Sequence, residues 1–150
     1  MSSIRYWEDF RPGETHALGS YEFTAETIVA FARDWDPQPM HVDLEAAKRS
    51  PYGGLIASGW HTTAAYMRLL VTSTFGNAVS LGSPGIDQLR WLKPVRPGDV
   101  LPARITVLET RASESRPDRG IVRSRGEMVN QAGDVVMQLE AVNFFGRRPD

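Results

Sequence analysis

The longest helical pattern in the chain runs from Gly59 to about Phe75, with Ala64, Ala65, Met67, Leu69, Leu70 and Val71 inside it. It is apolar over much of its circumference. A helix lying on a surface carries one apolar stripe, so a helix of this kind calls for a sheet that wraps it. Every strong signal after Gly85 is β. Ile86 to Lys93 reads as a strand, and Val100 to Ser113 alternates Leu101, Ala103, Ile105 and Val107 with a period of two. The turn Arg96-Pro97-Gly98-Asp99 separates these two. Ile121 to Asn130 and Val135 to Phe145 flank Gln131-Ala132-Gly133-Asp134, a hairpin turn with glycine where positive φ is needed. Upstream, a strand from about Thr15 to Phe23 precedes a helix that Thr24 caps, with Ile28, Phe31 and Ala32 at helical spacing until Asp36-Pro37 ends it. Strand, helix, helix and then an antiparallel meander predict an α+β plan with the helices on one face of the sheet.

Ahead of the long helix lies the segment with the most specific chemistry, Asp36-Pro37-Gln38-Pro39-Met40-His41. An acid and an imidazole at this spacing point about 140° apart on a helix and to opposite faces of a strand. They converge only where the chain bends. Pro37 and Pro39 fix their own φ and push Asp36 and Gln38 out of the α region, which predicts a stiff, non-repetitive, solvent-facing loop. A loop held rigidly can aim a carboxylate and an imidazole at one water molecule. Taken alone, the pair is also ordinary surface chemistry for a Pro-rich turn. The next segment adds weight: Asp43 caps a short helix of Leu44 to Arg49, Ser50-Pro51-Tyr52-Gly53-Gly54 breaks the chain, and Leu55-Ile56-Ala57 leads to Ser58-Gly59 at the start of the long helix. Glycine at a helix start permits close packing, and it also leaves an unpaired N–H at the positive helix end, open to a developing oxyanion. Ser58 lacks the surroundings of a nucleophile elbow and reads as an N-cap.

DPQPMHVD followed by GGLIASGWHTTA resembles the (R)-specific enoyl-CoA hydratase motif of the MaoC-like dehydratases, D-x-N-P-x-H with an I-x-x-G helix start downstream. RWLKPVRPGD, from Arg90 to Asp99, resembles the strand and turn that follow the central helix in that family, so the similarity spans nearly the whole chain. The resemblance implies a hot-dog fold, an antiparallel sheet wrapped around a long central helix. It also implies a hydro-lyase that adds water reversibly to a 2-enoyl thioester, with enoyl-CoA to (R)-3-hydroxyacyl-CoA as the expected case. Asp36 and His41 take the catalytic positions and Gly59 that of the oxyanion glycine. Gln38 stands in place of the family's asparagine, keeping the amide on a longer stem. Ser58 replaces a common histidine and Trp60 a common methionine, which places Gln38, Ser58 and Trp60 at a differently lined substrate pocket. Coenzyme A enters as part of the substrate, with no metal or other cofactor. A homodimer, or an assembly of dimers, would cover the strand edges that a single chain leaves open.

The 150 residues suit one domain, 1–150. Without cysteine, a secretory leader or a long apolar span, the chain is expected in the cytoplasm, away from membranes. Seventeen basic residues against eighteen acidic ones give no global field to recruit nucleic acid. Arg111, Arg116, Arg119, Arg123 and Arg125 form a local basic stretch, read as a solvated strand surface or as a contact for nucleotide phosphates. His16, His41 and His61 show no metal-ligand spacing, and His61 reads as a pocket-wall or interface residue. Trp35, Met40, Trp60, Tyr66 and Trp91 divide between core and acyl pocket. A non-catalytic acyl-thioester-binding domain and a hot-dog thioesterase remain as alternatives. The dyad argues against the thioesterase, and only activity separates the binding domain from an enzyme.

Overall fold

A computed structural model describes residues 3–150, so the first two residues of the expected 1–150 domain lie outside it. Five strands form one antiparallel sheet: β1 (Thr15–Glu22), β2 (Gly85–Trp91), β3 (Val100–Ala112), β4 (Arg119–Val129) and β5 (Val135–Gly146). Their spatial order is β1-β3-β4-β5-β2. The helices are α1 (Ala25–Trp35), α2 (Pro39–Val42), α3 (Leu44–Arg49) and α4 (Gly59–Thr72). The sheet curls around α4 in a hot-dog fold of the α+β class.

The meander holds for β3, β4 and β5, whereas β2 pairs with β5, as in Ile86 with Ala141 and Trp91 with Met137. β1 takes the place beside β3. The cause lies in the connection between β2 and β3. Pro94 and Pro97 offer no ladder donor, and the neighbouring backbone groups are committed elsewhere. Val95 O accepts from Ala57 N–H, while Gly98 N–H and Asp99 O bond Phe23. The chain after β2 therefore crosses to β1 instead of turning back on itself.

α4 stops at Thr72, short of the expected Phe75, and a 3-10 turn over Thr74–Asn77 comes next. Side chains compete with the ladder there. Thr72 Oγ1 donates to Arg68 O, and Ser73 Oγ donates to Leu70 O while accepting from Phe75 N–H. α4 buries His61, Thr62, Ala65 and Tyr66 under the sheet. Trp60, Met67 and Val71 stay 55%, 48% and 55% exposed, so one side of α4 is not wrapped by its own chain. The alternation of β4 fixes what the sheet presents: Val122, Ser124, Gly126 and Met128 face inward, and Arg119, Arg123 and Arg125 face outward. Among the described residues no helix is long and apolar enough to cross a membrane.

Tyr66 and Gly126 set how closely α4 approaches the sheet. A Cβ added at Gly126 would overlap the Tyr66 ring, which is 3% exposed and has no room to retreat. Gly126→Ala is expected to cost about 1–3 kcal/mol in chemical denaturation, the usual scale for overpacking. In a Tyr66→Leu background the added cost of Gly126→Ala should largely vanish. Simple additivity of the two losses would contradict this account of the contact.

Candidate active site

Asp36 ends α1, its N–H donating to Ala32 O at 2.8 Å. The prolines act as expected on their neighbours, since Asp36 has φ −154 and ψ 69, and Gln38 has φ −72 and ψ 144. Beyond Gln38 the chain departs from the expected loop. Pro39 opens the single helical turn α2, because proline at the first helical position loses no hydrogen bond and arrives with its φ already set. His41 sits in that turn and is 4% exposed, so the pair is not solvent-facing. Ile56 N–H bonds Met40 O, and Ala57 N–H bonds Val95 O, which ties α2 to the segment leading into α4.

The His41 imidazole is anchored at Nδ1, 2.7 Å from Ile56 O. A carbonyl accepts and cannot donate, so Nδ1 carries the proton, and in the neutral ring Nε2 is the acceptor. Nε2 lies 3.4 Å from Asp36 Oδ2. Gln38 Nε2 donates to Asp36 Oδ1 at 2.8 Å, and Ser58 Oγ donates to Oδ2 at 2.7 Å. Burial works against ionisation of Asp36, but the Ser58 and Gln38 hydrogen bonds, with the charge His41 carries when protonated, hold its carboxyl below the usual value. The Asp36 carboxylate thus faces Nε2, which presents a lone pair whenever the ring is neutral. Two acceptors this close are satisfied by a donor with two protons, and water is the smallest.

Ser58 is fully buried, which removes it from direct contact with a substrate and makes it a joint between elements. Its hydroxyl donates to Asp36 and accepts from Trp60 N–H at 3.2 Å, capping α4. Among the described residues none accepts a hydrogen bond from Gly59 N–H, the first amide of that helix. An added Cβ on Gly59 would overlap the Trp91 indole, so glycine is also demanded by packing. Trp91 Nε1–H donates to Thr63 Oγ1 at 3.0 Å, and Thr63 Oγ1 donates to Gly59 O at 2.9 Å. Trp60 meets Trp91 edge to face at 5.1 Å. Asp36, Gln38, His41, Gly59, Trp60 and Trp91 all line one cleft of about 470 Å³.

Of Asp36, Gln38, His41, Ser58, Gly59 and Trp60, Ser58 alone leaves the cleft wall, while Tyr66 is core and Trp35, 74% exposed, belongs to neither core nor cleft. The Ile56 carbonyl that fixes the tautomer, and the Trp91 ring over Gly59, were not legible, because neither a backbone acceptor nor a distant packing partner leaves a sequence signal. The basic stretch lies elsewhere. Arg111, Arg119, Arg123 and Arg125 are on the sheet face away from α4, and Arg123 pairs with Glu140 at 2.8 Å and Asp87 at 3.5 Å. His16 pairs with Glu14 at 3.1 Å and packs edge-on against Phe75. His61 is buried on the opposite side of α4 from Gly59.

Residues 10–126 match the family described as MaoC like domain. The chain belongs to the MaoC-like family. It is 29% identical over 138 residues to the 3-hydroxybutyryl-CoA dehydratase of Methylorubrum extorquens, covering 91% of this chain and 85% of the relative. A MaoC-like dehydratase structure from Rhodospirillum rubrum superposes with a TM-score of 0.90 at 44% identity, covering 97% of this MaoC-like chain and 99% of that one. At 15% identity and a TM-score of 0.80, covering 98% of this chain and 46% of the other, a Mycobacterium tuberculosis protein with a double hot-dog fold shares the architecture.

His61 gives this MaoC-like chain a measurable acid response. Burial lowers its pKa from 6.5 to about 4, so the folded ring stays neutral while the unfolded chain takes up a proton. The unfolded state binds more protons in this window, so stability rises with pH between about 4 and 6.5 and this contribution is flat above it. Denaturant titrations should show up to about 3 kcal/mol lost from pH 7 to pH 4 on this account. His61→Phe should remove that share, leaving the carboxylate losses at lower pH, including that of Asp36, whose contribution disappears as pH falls through its depressed pKa. An unchanged pH slope in His61→Phe would refute the assignment.

Proposed function

We propose that this chain is a hydratase/dehydratase that reversibly adds water across the α,β double bond of a 2-enoyl thioester, converting enoyl-CoA to (R)-3-hydroxyacyl-CoA. The observation that carries the reading is the convergence of Asp36, His41 and the unpaired Gly59 amide on one cleft. Water donates to the Asp36 carboxylate and to His41 Nε2. As its oxygen attacks the β-carbon, the dyad takes one proton, and the electron pair of the double bond moves onto the thioester carbonyl. The Gly59 N–H donates to that enolate oxygen at the positive end of α4. The dyad then returns a proton to the α-carbon. Hydroxyl and proton account for the whole of the water, so the reaction needs neither a metal nor a redox cofactor. Family membership and the dehydratase relative support the same chemistry.

Asp36→Asn and His41→Gln should each lower hydration of a 2-enoyl-CoA at least about a hundredfold, the usual scale for a positioned acid/base group. The double variant should be little worse than either single one, because the two groups share one proton transfer. His41→Gln should also lower the melting temperature, since the imidazole is buried and bonded to Ile56 O. Hydration at the wild-type rate in both single variants would move the acyl-thioester-binding reading ahead.

The same reading gives Trp60 the acyl wall and a second copy the open side of α4. Trp60→Ala should shift chain-length preference more than it lowers turnover on the best short substrate. Trp60, Met67 and Val71 on α4, with Ile86 and Trp91 on the edge strand β2 and Leu92 just after it, form the exposed apolar ground for a homodimer. Sedimentation at micromolar concentration should give a dimer or a multiple of it, and a stable monomer would count against the assembly.

A further inference from the structure

On the side of α4 facing away from the cleft, a second cluster of rings has no part in the chemistry so far. His61 comes two residues after Gly59, which turns it about 200° around the helix. Its ring lies flat against Phe31 of α1, with centroids 4.7 Å apart and 9° between the planes. Phe23 meets it edge-on at 4.8 Å. Tyr21 Oη of β1 lies 3.2 Å from Nε2, which fixes the ring's orientation. Nδ1 is buried and without a hydrogen-bond partner among the described residues. Among those residues, Arg68 supplies the charge in the shallow groove beside this cluster.

The buried, unpaired Nδ1 costs the fold, so what the residue contributes here is the shape and place of its flat ring. Its location gives it a purpose. Phe31 belongs to the last turns of α1, which Asp36 caps with its N–H bonded to Ala32 O. His61 belongs to the first turn of α4, whose first amide is Gly59. The Phe31–His61 stack is thus a direct contact between the helix that carries the carboxylate and the helix that carries the proposed oxyanion donor.

We propose that His61 is a positioning residue whose stacked ring, oriented by Tyr21, sets the spacing between α1 and the N-terminus of α4 and so holds the Asp36 carboxylate in register with His41 and the Gly59 amide. The inference rests on the hydratase reading for what the register is used for, but the register itself is measured separately. Without the ring, α1 settles toward α4, and the Ser58 and His41 contacts that hold the Asp36 carboxyl below its ordinary 3.8 loosen. A flat ring of the same breadth keeps the spacing even without the bond to Tyr21.

The test uses the full chain and three variants: His61→Ala, His61→Phe, and Val107→Ala, a buried truncation on β3 that weakens packing away from α1. Carboxyl ¹³C titration of Asp36 is run beside hydration kinetics on a 2-enoyl-CoA. His61→Ala should raise the Asp36 pKa toward 3.8 and lower kcat about tenfold or more, with KM within about twofold, since a small misplacement of a reacting group costs rate before it costs binding. His61→Phe should keep the Asp36 titration and most of kcat. Val107→Ala should lower the melting temperature and move neither. The proposal is overturned if His61→Ala leaves Asp36 unshifted, if His61→Phe fails to rescue, or if Val107→Ala shifts both readouts as His61→Ala does. Should the wild-type chain hydrate no enoyl thioester, the proposed function fails, while the Asp36 titrations still decide the positioning role.

Discussion

The hydrogen bond from the Ser58 hydroxyl to Asp36 joins the two halves of the site. On one side of it, α1 delivers a carboxylate at its C-terminus; on the other, α4 begins with a free amide. Ser58 serves both, donating to Asp36 Oδ2 and accepting from Trp60 N–H. A hydroxyl can do this because it holds one proton and two lone pairs, whereas a carboxylate or an amide N–H has only half of that capacity. Capping alone is worth about 1 kcal/mol. Joined to Asp36, it also commits the carboxylate to a fixed place relative to the helix axis. The depressed pKa of Asp36 and the alignment of the Gly59 amide thus share one cause.

The sequence made the elements legible where local chemistry dictates them. Thr24 and Asp43 cap α1 and α3, the period of two marks β3, and Gly133 has φ 83 in its hairpin turn. It also singled out Asp36, His41 and Gly59, which the fold brings to one cleft, because two prolines and a helix-opening glycine are strong local signals. Three features were out of reach for a common reason, which is that each depends on a partner distant in sequence. β2 pairs with β5 only because the prolines after it spoil a return. Ser58 looked like a cap and a pocket residue because nothing near it announces Asp36. Met67 and Val71 looked wrapped because periodicity shows that a face is apolar but not what covers it.

Glycine marks the places where α4 is pressed hardest from outside. At Gly59 the Trp91 indole occupies the volume of a Cβ, and at Gly126 the Tyr66 ring does so from the helix toward the sheet. Both contacts act on α4, one at its first residue and one at the start of its third turn. Together they hold the helix at two points along its length, so its N-terminus cannot drift relative to β2. The role proposed for the Gly59 amide benefits from this arrangement, because a hydrogen bond to developing charge is most useful when its direction does not have to be recovered during the reaction.

Stability and chemistry are divided unequally along the chain. The fully buried side chains of Leu101, Val107, Met128, Val136 and Met137 come from the sheet, and none of them bonds the dyad. Among the described residues, the polar contacts of the Asp36 carboxylate and the His41 ring come from Gln38, Ile56, Ser58 or the pair itself. The dyad is therefore a closed unit folded from one continuous stretch, 36–58. The cleft walls contributed by Trp60, Trp91 and Leu92 sit outside that unit, with exposures of 55%, 45% and 51%. Changing them alters what the cleft admits without breaking a bond that orients the carboxylate or the imidazole. Trp91 is the exception among them. Its ring also fills the space above Gly59, so a smaller residue there enlarges the cleft and loosens the N-terminal end of α4 in the same step.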